Sequence, residues 1–339
     1  MVATLESPTD LVKPESAKTD GFSKSDKAVQ GTNDSSILSK ASMAALGYFD
    51  DPFLSMFISR SCRRAPLINI GYYIRAKAID HTLRTFLKST NSPCQIVSLG
   101  AGFDTSYFRL KKLGMLDDCK FVEVDFPDVA RRKRGLIQQN SQLQELLGPC
   151  TVTDPNLIGK DYSLLGCDLT NLGSFQNLLT EKLPSLDAPT LCFAECVLTY
   201  VDYQMSLQLI NKINEMFSSC IFVTYEQSYP SDSFAQVMLS HFNKLQSPLQ
   251  RIHKLNSIDA HTNIFLQNNW DSACGMDMNF FYHNYLDMEE KLRISSIEPF
   301  DEYEEWHLKC SHYCVIAAFK GEEIYIVLDV VRRDAFHFL

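Results

Sequence analysis

Between residues 95 and 225, five short apolar runs alternate with four stretches of helical periodicity. The runs are 95–99, 120–125, 163–167, 190–195 and 219–225; the periodic stretches are 105–113, 127–143, 171–183 and 203–217. In the last of these, Tyr203, Leu207, Ile210, Ile213 and Phe217 recur at three- and four-residue steps, the spacing of one helix face. The runs are apolar almost throughout, so each strand expects cover on both faces. This alternation predicts a doubly wound α/β domain, a mainly parallel sheet with helices on either side. In such a sheet, ligands sit outside the carboxyl ends of the strands.

The first strand end is the most telling. Ile96-Val-Ser-Leu99 runs directly into Gly100-Ala-Gly102, with a helical stretch after it. Glycines here let the backbone pass close to a ligand, although Gly-x-Gly alone is also a plain strand-to-helix turn. A dinucleotide fingerprint wants a third small residue where this chain has Thr105. Asp104 adds negative charge where a pyrophosphate needs a bare helix N-terminus. The turn therefore favours a cofactor without phosphates, and the doubly cationic S-adenosylmethionine suits it better than NAD.

The other strand ends carry acids. Asp125 follows the second run, 25 residues after Gly100, near the spacing at which a carboxylate receives ribose hydroxyls. Asp168-Leu169 follows the third and can frame an adenine; Glu195 ends the fourth. Strand-end acids also serve as helix caps. Upstream, Arg75 lies in an aromatic stretch, Gly71-Tyr-Tyr-Ile-Arg75, and offers a planar fork for a carboxylate. Lys40 is a weaker candidate of the same kind. Arg131-Arg-Lys-Arg134 reads as a solvated helix face, and Phe280-Phe-Tyr-His283 as core or hairpin before pocket lining.

Composition narrows the classes. The net charge of −9 argues against a general nucleic-acid surface. Eleven scattered cysteines read as reduced thiols, which predicts a cytoplasmic protein. The pairs Cys192/Cys196 and Cys310/Cys314 lack zinc-site spacing, so no metal is expected. No apolar run approaches the ~20 residues that span a membrane. Residues 1–36 are polar and aperiodic and read as a disordered tail. A single domain over 37–320 is expected, with 321–339 as an extension of unknown structure. Short runs near 273–278 and 313–319 suggest a late hairpin-like strand pair, and 142–160 a lid or insertion.

Several segments together resemble the leucine carboxyl methyltransferase family. They are Gly47-Tyr-Phe-Asp-Asp-Pro-Phe53, Asn69-Ile-Gly-Tyr-Tyr-Ile-Arg75, Gln95 to Thr105, Phe121-Val-Glu-Val-Asp-Phe-Pro127, Ala194-Glu-Cys-Val-Leu-Thr-Tyr200 and Tyr225-Glu-Gln227. The resemblance runs from about Leu38 to Phe319. It implies a seven-stranded sheet of the class I S-adenosylmethionine-dependent methyltransferase type, with added N-terminal helices and a substrate lid. It also implies methyl transfer to the C-terminal leucine carboxylate of the protein phosphatase 2A catalytic subunit, leaving S-adenosylhomocysteine. Cofactor contacts are implied at Lys40, Arg75, Gly100, Gly102, Asp125, Asp168, Leu169 and Glu195. Arg75 and Tyr200 are expected to organise the chemistry. Expected partners are the phosphatase subunit and its tail, with no nucleic acid and no membrane, and the chain is expected to be a monomer. An α-carboxylate with a pKa around 3.5 is already the nucleophile at neutral pH, so no general base is expected.

Three readings compete. One is a small-molecule O-methyltransferase, because fold alone does not choose a substrate. Another is a phosphatase-binding module without activity. The third is the family's tRNA-modifying branch, counted against by the acidic charge and by an additional repeat domain for which 339 residues leave no room.

Overall fold

The computed structural model describes residues 24–90, 93–228 and 231–321. Two helices come first, α1 (Lys24–Ala45) and α2 (Pro66–Ser89), with a 3-10 turn at Leu54–Phe57 between them. Strand β1 (Cys94–Leu99), α3 (Ser106–Lys112), β2 (Cys119–Asp125), α4 (Pro127–Gln139) and α5 (Ser141–Leu147) come after them. Next are β3 (Thr151–Thr153), β4 (Asn156–Ile158), β5 (Tyr162–Gly166), α6 (Leu172–Lys182), β6 (Thr190–Glu195), α7 (Tyr203–Met216) and β7 (Cys220–Gln227). The last third carries α8 (Ser233–Lys244), α9 (Ile258–Leu266), β8 (Ser272–Asp277), α10 (Met278–Tyr285), α11 (Met288–Ser295), α12 (Tyr303–Ser311) and β9 (Tyr313–Lys320).

Among the described residues the strands form one sheet in the order β3-β4-β5-β2-β1-β6-β7-β9-β8. The five central strands, β5, β2, β1, β6 and β7, are parallel. Alternation of side chains splits them between two cores. Ile96, Phe121, Leu164 and Leu191 face one core with α2, α3 and α4, while Val97, Val122, Leu165 and Cys192 face the other with α6, α7 and α9. β1 is buried along its whole length. Each fully buried Leu, Ile or Phe contributes roughly 1.5–3 kcal/mol, so the double cover accounts for the continuous apolar runs. Helix starts are chemically marked as well. Asp202 accepts from the backbone N–H of Gln204 and Met205 to open α7, and Pro127 opens α4.

Five expectations change. The sheet has nine strands among the described residues, not seven, because 151–158 folds as a β3–β4 hairpin that extends the edge beside β5. That segment is part of the sheet rather than a lid. Residues 24–36, expected in a disordered tail, form the first turns of α1; residues 1–23 and 322–339 lie outside the described residues. The late strand pair forms antiparallel, yet three helices separate β8 from β9, so it is no hairpin. Finally, Lys133 is not solvated: it is fully buried in α4 and pairs with Glu123 at 2.5 Å. Its neighbours Arg131 and Arg134 pair with Asp154, and Arg132 with Asp34. Phe280–His283 lies in α10, with Phe281 in the core and Phe280 exposed.

Candidate active site

Gly100 and Gly102 both adopt left-handed φ, 59° and 50°. Space alone also demands them. A Cβ on Gly100 would stand 2.6 Å from a Val197 methyl, and one on Gly102 would stand 2.4 Å from Asn33 Oδ1. The turn is thus pressed between the loop after β6 and helix α1. Thr105, which breaks the dinucleotide pattern, donates to Asp51 Oδ2 at 2.6 Å and ties the turn to the N-terminal segment. Lys133 donates to the Asp104 carbonyl at 2.6 Å and fixes the same turn from below.

Asp125 accepts from Gly102 N–H at 2.6 Å and from Phe126 N–H at 2.7 Å. Burial pushes its carboxyl up to about 6, against those two donors and Lys133. Glu195 differs. Lys40 Nζ stands 2.8 Å from Oε1, and the Arg75 guanidinium is bonded to the same oxygen. Burial pushes Glu195 up, but Arg75 and Lys40 more than offset it and hold the carboxyl at about 2. Lys40 also lies 3.9 Å from Asp104.

One crevice is lined by Lys40, Arg75, Gly100 and Glu195, together with Asn33 and Asp104. Gly102 and Asp125 do not line it; they are joined to each other beside Ala101, which does. Asp168 lies in a neighbouring crevice with Pro127, Gly166 and Asn171, and its Oδ1 accepts from Thr170 N–H at 2.9 Å. Leu169 is buried against the second core. The two crevices follow the carboxyl ends of β1, β2, β5 and β6, the place a doubly wound sheet offers a ligand.

On the far side of Arg75 stands a cluster of phenols. The guanidinium lies 5.3 Å from the ring centres of both Tyr72 and Tyr225. Tyr225 stacks on Tyr313 at 5.6 Å. Tyr200, in a 3-10 turn at Leu198–Tyr200, faces the same cluster with its ring 6.2 Å from Phe242. Burial pushes Tyr200, Tyr225 and Tyr313 up, so they stay phenols. Cys196 takes a left-handed φ of 55°, and burial pushes its thiol up to about 12. The loop is pinned by Glu226, whose Oε1 accepts from Val197 and Leu198 N–H at 3.3 and 3.1 Å.

Sequence reasoning missed Asn33, Tyr313 and Glu226. Tyr72 and Tyr225 stand in family-like segments, but the sequence assigned them no role. Glu226 follows an apolar run as the other acids do, and that was the available signal. Asn33 sits where the sequence reads as tail, and nothing local marks Tyr313. Among the described residues no group of three or more His, Cys, Asp or Glu is placed to hold a metal. All eleven cysteines are free.

Residues 23–214 match the model of the leucine carboxyl methyltransferase family. The human tRNA wybutosine-synthesizing protein 4 is 45% identical over 318 residues, 91% of this chain and 46% of that protein. The chain thus spans about half the length of that relative. The leucine carboxyl methyltransferase 1 homolog of Arabidopsis thaliana is 38% identical over 295 residues, 86% of this chain and 89% of that protein. Among solved structures, a protein from Thermobifida fusca YX described as a methyltransferase shares the fold, with a TM-score of 0.53 and 11% identity over 84% of this chain and 94% of that one.

Proposed function

Since the chain belongs to the leucine carboxyl methyltransferase family, we propose that it transfers the methyl group of S-adenosylmethionine to a carboxylate oxygen. The carrying observation is the Lys40–Glu195–Arg75 cluster set between the glycine turn and the tyrosines. Bound S-adenosylmethionine supplies a methyl group already activated by its sulfonium. Arg75 and Lys40 hold the cofactor's amino-acid end with Glu195. Asp125 receives the ribose hydroxyls, and Asp168-Leu169 frames the adenine. The chain's own work is to position the acceptor and exclude water, since a carboxylate needs no base. Tyr200 helps to place that carboxylate. Cys196, kept a thiol by burial, does not compete for the methyl. Eleven free thiols support a cytoplasmic setting.

The acceptor we favour is a carboxylate borne on the modified base of a tRNA. Identities of 45% and 43% to the human and rat tRNA wybutosine-synthesizing protein 4 support it, against 38% and 32% to the Arabidopsis and rat leucine carboxyl methyltransferase 1 proteins. The Tyr72–Tyr225–Tyr313 cluster also suits a flat ring. A second reading is the terminal leucine carboxylate of the phosphatase 2A catalytic subunit. The end-to-end match to leucine carboxyl methyltransferase 1 of Bos taurus, 95% of this chain and 97% of that protein, favours it, as does the net charge of −9. The test offers labelled S-adenosylmethionine with tRNA from cells lacking wybutosine-synthesizing protein 4, and with the phosphatase subunit with and without its terminal leucine. Alkali-labile label on the tRNA is expected. Label only on the leucine-bearing phosphatase moves the acceptor to the second reading, and label on neither overturns both.

A further inference from the structure

Lys309 lies in the last turn of α12, four residues before Tyr313, and α12 packs on α2. Its ammonium sits directly over Gly71: a Cβ there would stand 2.8 Å from Nζ and 3.3 Å from Cε. Gly71 and Arg75 are one helical turn apart, on the same face of α2. Lys309 is therefore a second cation beside Arg75, reached from the opposite end of the chain. The two differ in their partners. Arg75 is bonded to Glu195, whereas the ammonium of Lys309 has no hydrogen bond or ion pair among the described residues. Burial pushes its ammonium down to about 8, and the charge of Arg75 pushes the same way against Cys310.

The charges around the crevice do not balance. Lys40, Arg75 and Lys309 are three cations, faced by the two carboxylates of Glu195 and Asp104. S-adenosylmethionine carries two positive groups and one carboxylate, so it adds a further positive charge. An anion borne by the acceptor would meet Lys309, whose ammonium has no carboxylate partner among the described residues, unlike Lys40 and Arg75.

We infer that Lys309 is a binding residue for the acceptor's carboxylate, held over Gly71 so that it meets an anionic acceptor entering beside the tyrosines. This rests on the carboxylate reading above and names the residue that selects for it. Lys309 is not a cofactor residue: Arg75 and Lys40 occupy Glu195, and Lys309 stands beyond them. Gly71 is the means of placement, because any side chain there would displace the ammonium.

The test compares wild type with Lys309→Met, which keeps the stem and removes the charge, and with Gly71→Ala, which moves the ammonium. Initial rates give kcat and KM for the acceptor that wild type turns over, and calorimetry gives the affinity for S-adenosylhomocysteine. Both variants should raise the acceptor KM tenfold or more while cofactor affinity stays within twofold. Gly71→Ala should do so with an unchanged or higher melting temperature, which separates displacement of the ammonium from damage to the fold. An acceptor KM within twofold of wild type in both variants overturns the inference, as does a loss confined to cofactor affinity. Should wild type methylate neither acceptor, the proposed function fails on that arm alone. N-acetyl-L-leucine is then titrated into the S-adenosylhomocysteine-loaded protein. Binding to wild type that Lys309→Met abolishes supports the inference; equal binding, or none to either, overturns it.

Discussion

Asp125 and Glu195 are buried carboxylates at the ends of two strands of one sheet, and they are held in opposite electrical states. Glu195 is saturated by Lys40 and Arg75 and stays ionised at about 2. Asp125 has two backbone N–H donors and no cation in contact, and it sits at about 6. The first is a finished ion cluster that fixes two cations in place. The second retains lone pairs that only a ligand's donors can satisfy. Similar positions in the sheet thus carry different electrostatics, one a carboxylate that fixes two cations and one a carboxylate without a cation in contact.

The largest effect should come from Glu195→Gln, which leaves Arg75 and Lys40 enclosed without their counter-charge. Breaking a buried pair costs about 3–5 kcal/mol, so the urea midpoint should fall sharply. An unchanged midpoint would erase the contrast. Asp125→Asn leaves one of the Gly102 and Phe126 N–H donors without its acceptor oxygen, so it should cost about 1–3 kcal/mol of stability and weaken cofactor binding by about 1.5–3 kcal/mol, the worth of a hydrogen bond to a charged group. Calorimetry reads this directly, and unchanged affinity removes Asp125 from the ribose role.

Acid separates the two residues further. Glu195 titrates lower in the folded chain than unfolded, so its contribution is complete above about 4.5 and is lost as pH falls toward about 2. Asp125 titrates higher when folded, so its ionisation costs stability as pH rises from about 4 to about 6. Ligand donors need it ionised. Cofactor affinity should therefore drop as pH falls through about 6, by at most about tenfold per unit. In Asp125→Asn that slope should vanish. A slope that persists would assign the titration to another group. The smallest effect is expected for Glu226→Gln, which keeps an oxygen for Val197 and Leu198 N–H. It should lower the urea midpoint, because buried Arg251 loses a facing charge, but less than Glu195→Gln does, and leave cofactor affinity alone.

The same contrast explains what the sequence could reveal. The glycine turn and the strand-end acids lie within or just after apolar runs, where one local pattern predicts both strand and ligand position. Strand β6, Thr190–Glu195, was readable to the residue because doubly covered strands are apolar on both faces. Helix α1 was not, because its first half is polar and its apolar contacts begin only near Ile37. Its place is set by where Asn33 and Lys40 land on the turn, which no periodicity encodes. The tyrosine cluster was least legible. Tyr72, Tyr225 and Tyr313 come from α2, β7 and β9, and they meet because β9 enters the sheet antiparallel beside β7. Long-range pairing of that sort leaves no local signature, and β3–β4, at three residues a strand, is too short to show an alternation.

The position of β9 has a consequence for synthesis. It lies between β7 and β8, and β8 pairs with no other strand among the described residues. A ribosome that has released the chain through residue 277 therefore presents β7 with an open edge and β8 with nothing to join. The cofactor half can already be assembled, since β1, β2, β5 and β6 pair without help from any later strand. Lys309 and Tyr313 arrive together with the closing strand. The nascent protein gains the crevice lined by Lys40, Arg75 and Glu195 early and the Tyr225–Tyr313 contact last, and a chaperone that guards the open β7 edge would delay only the second step.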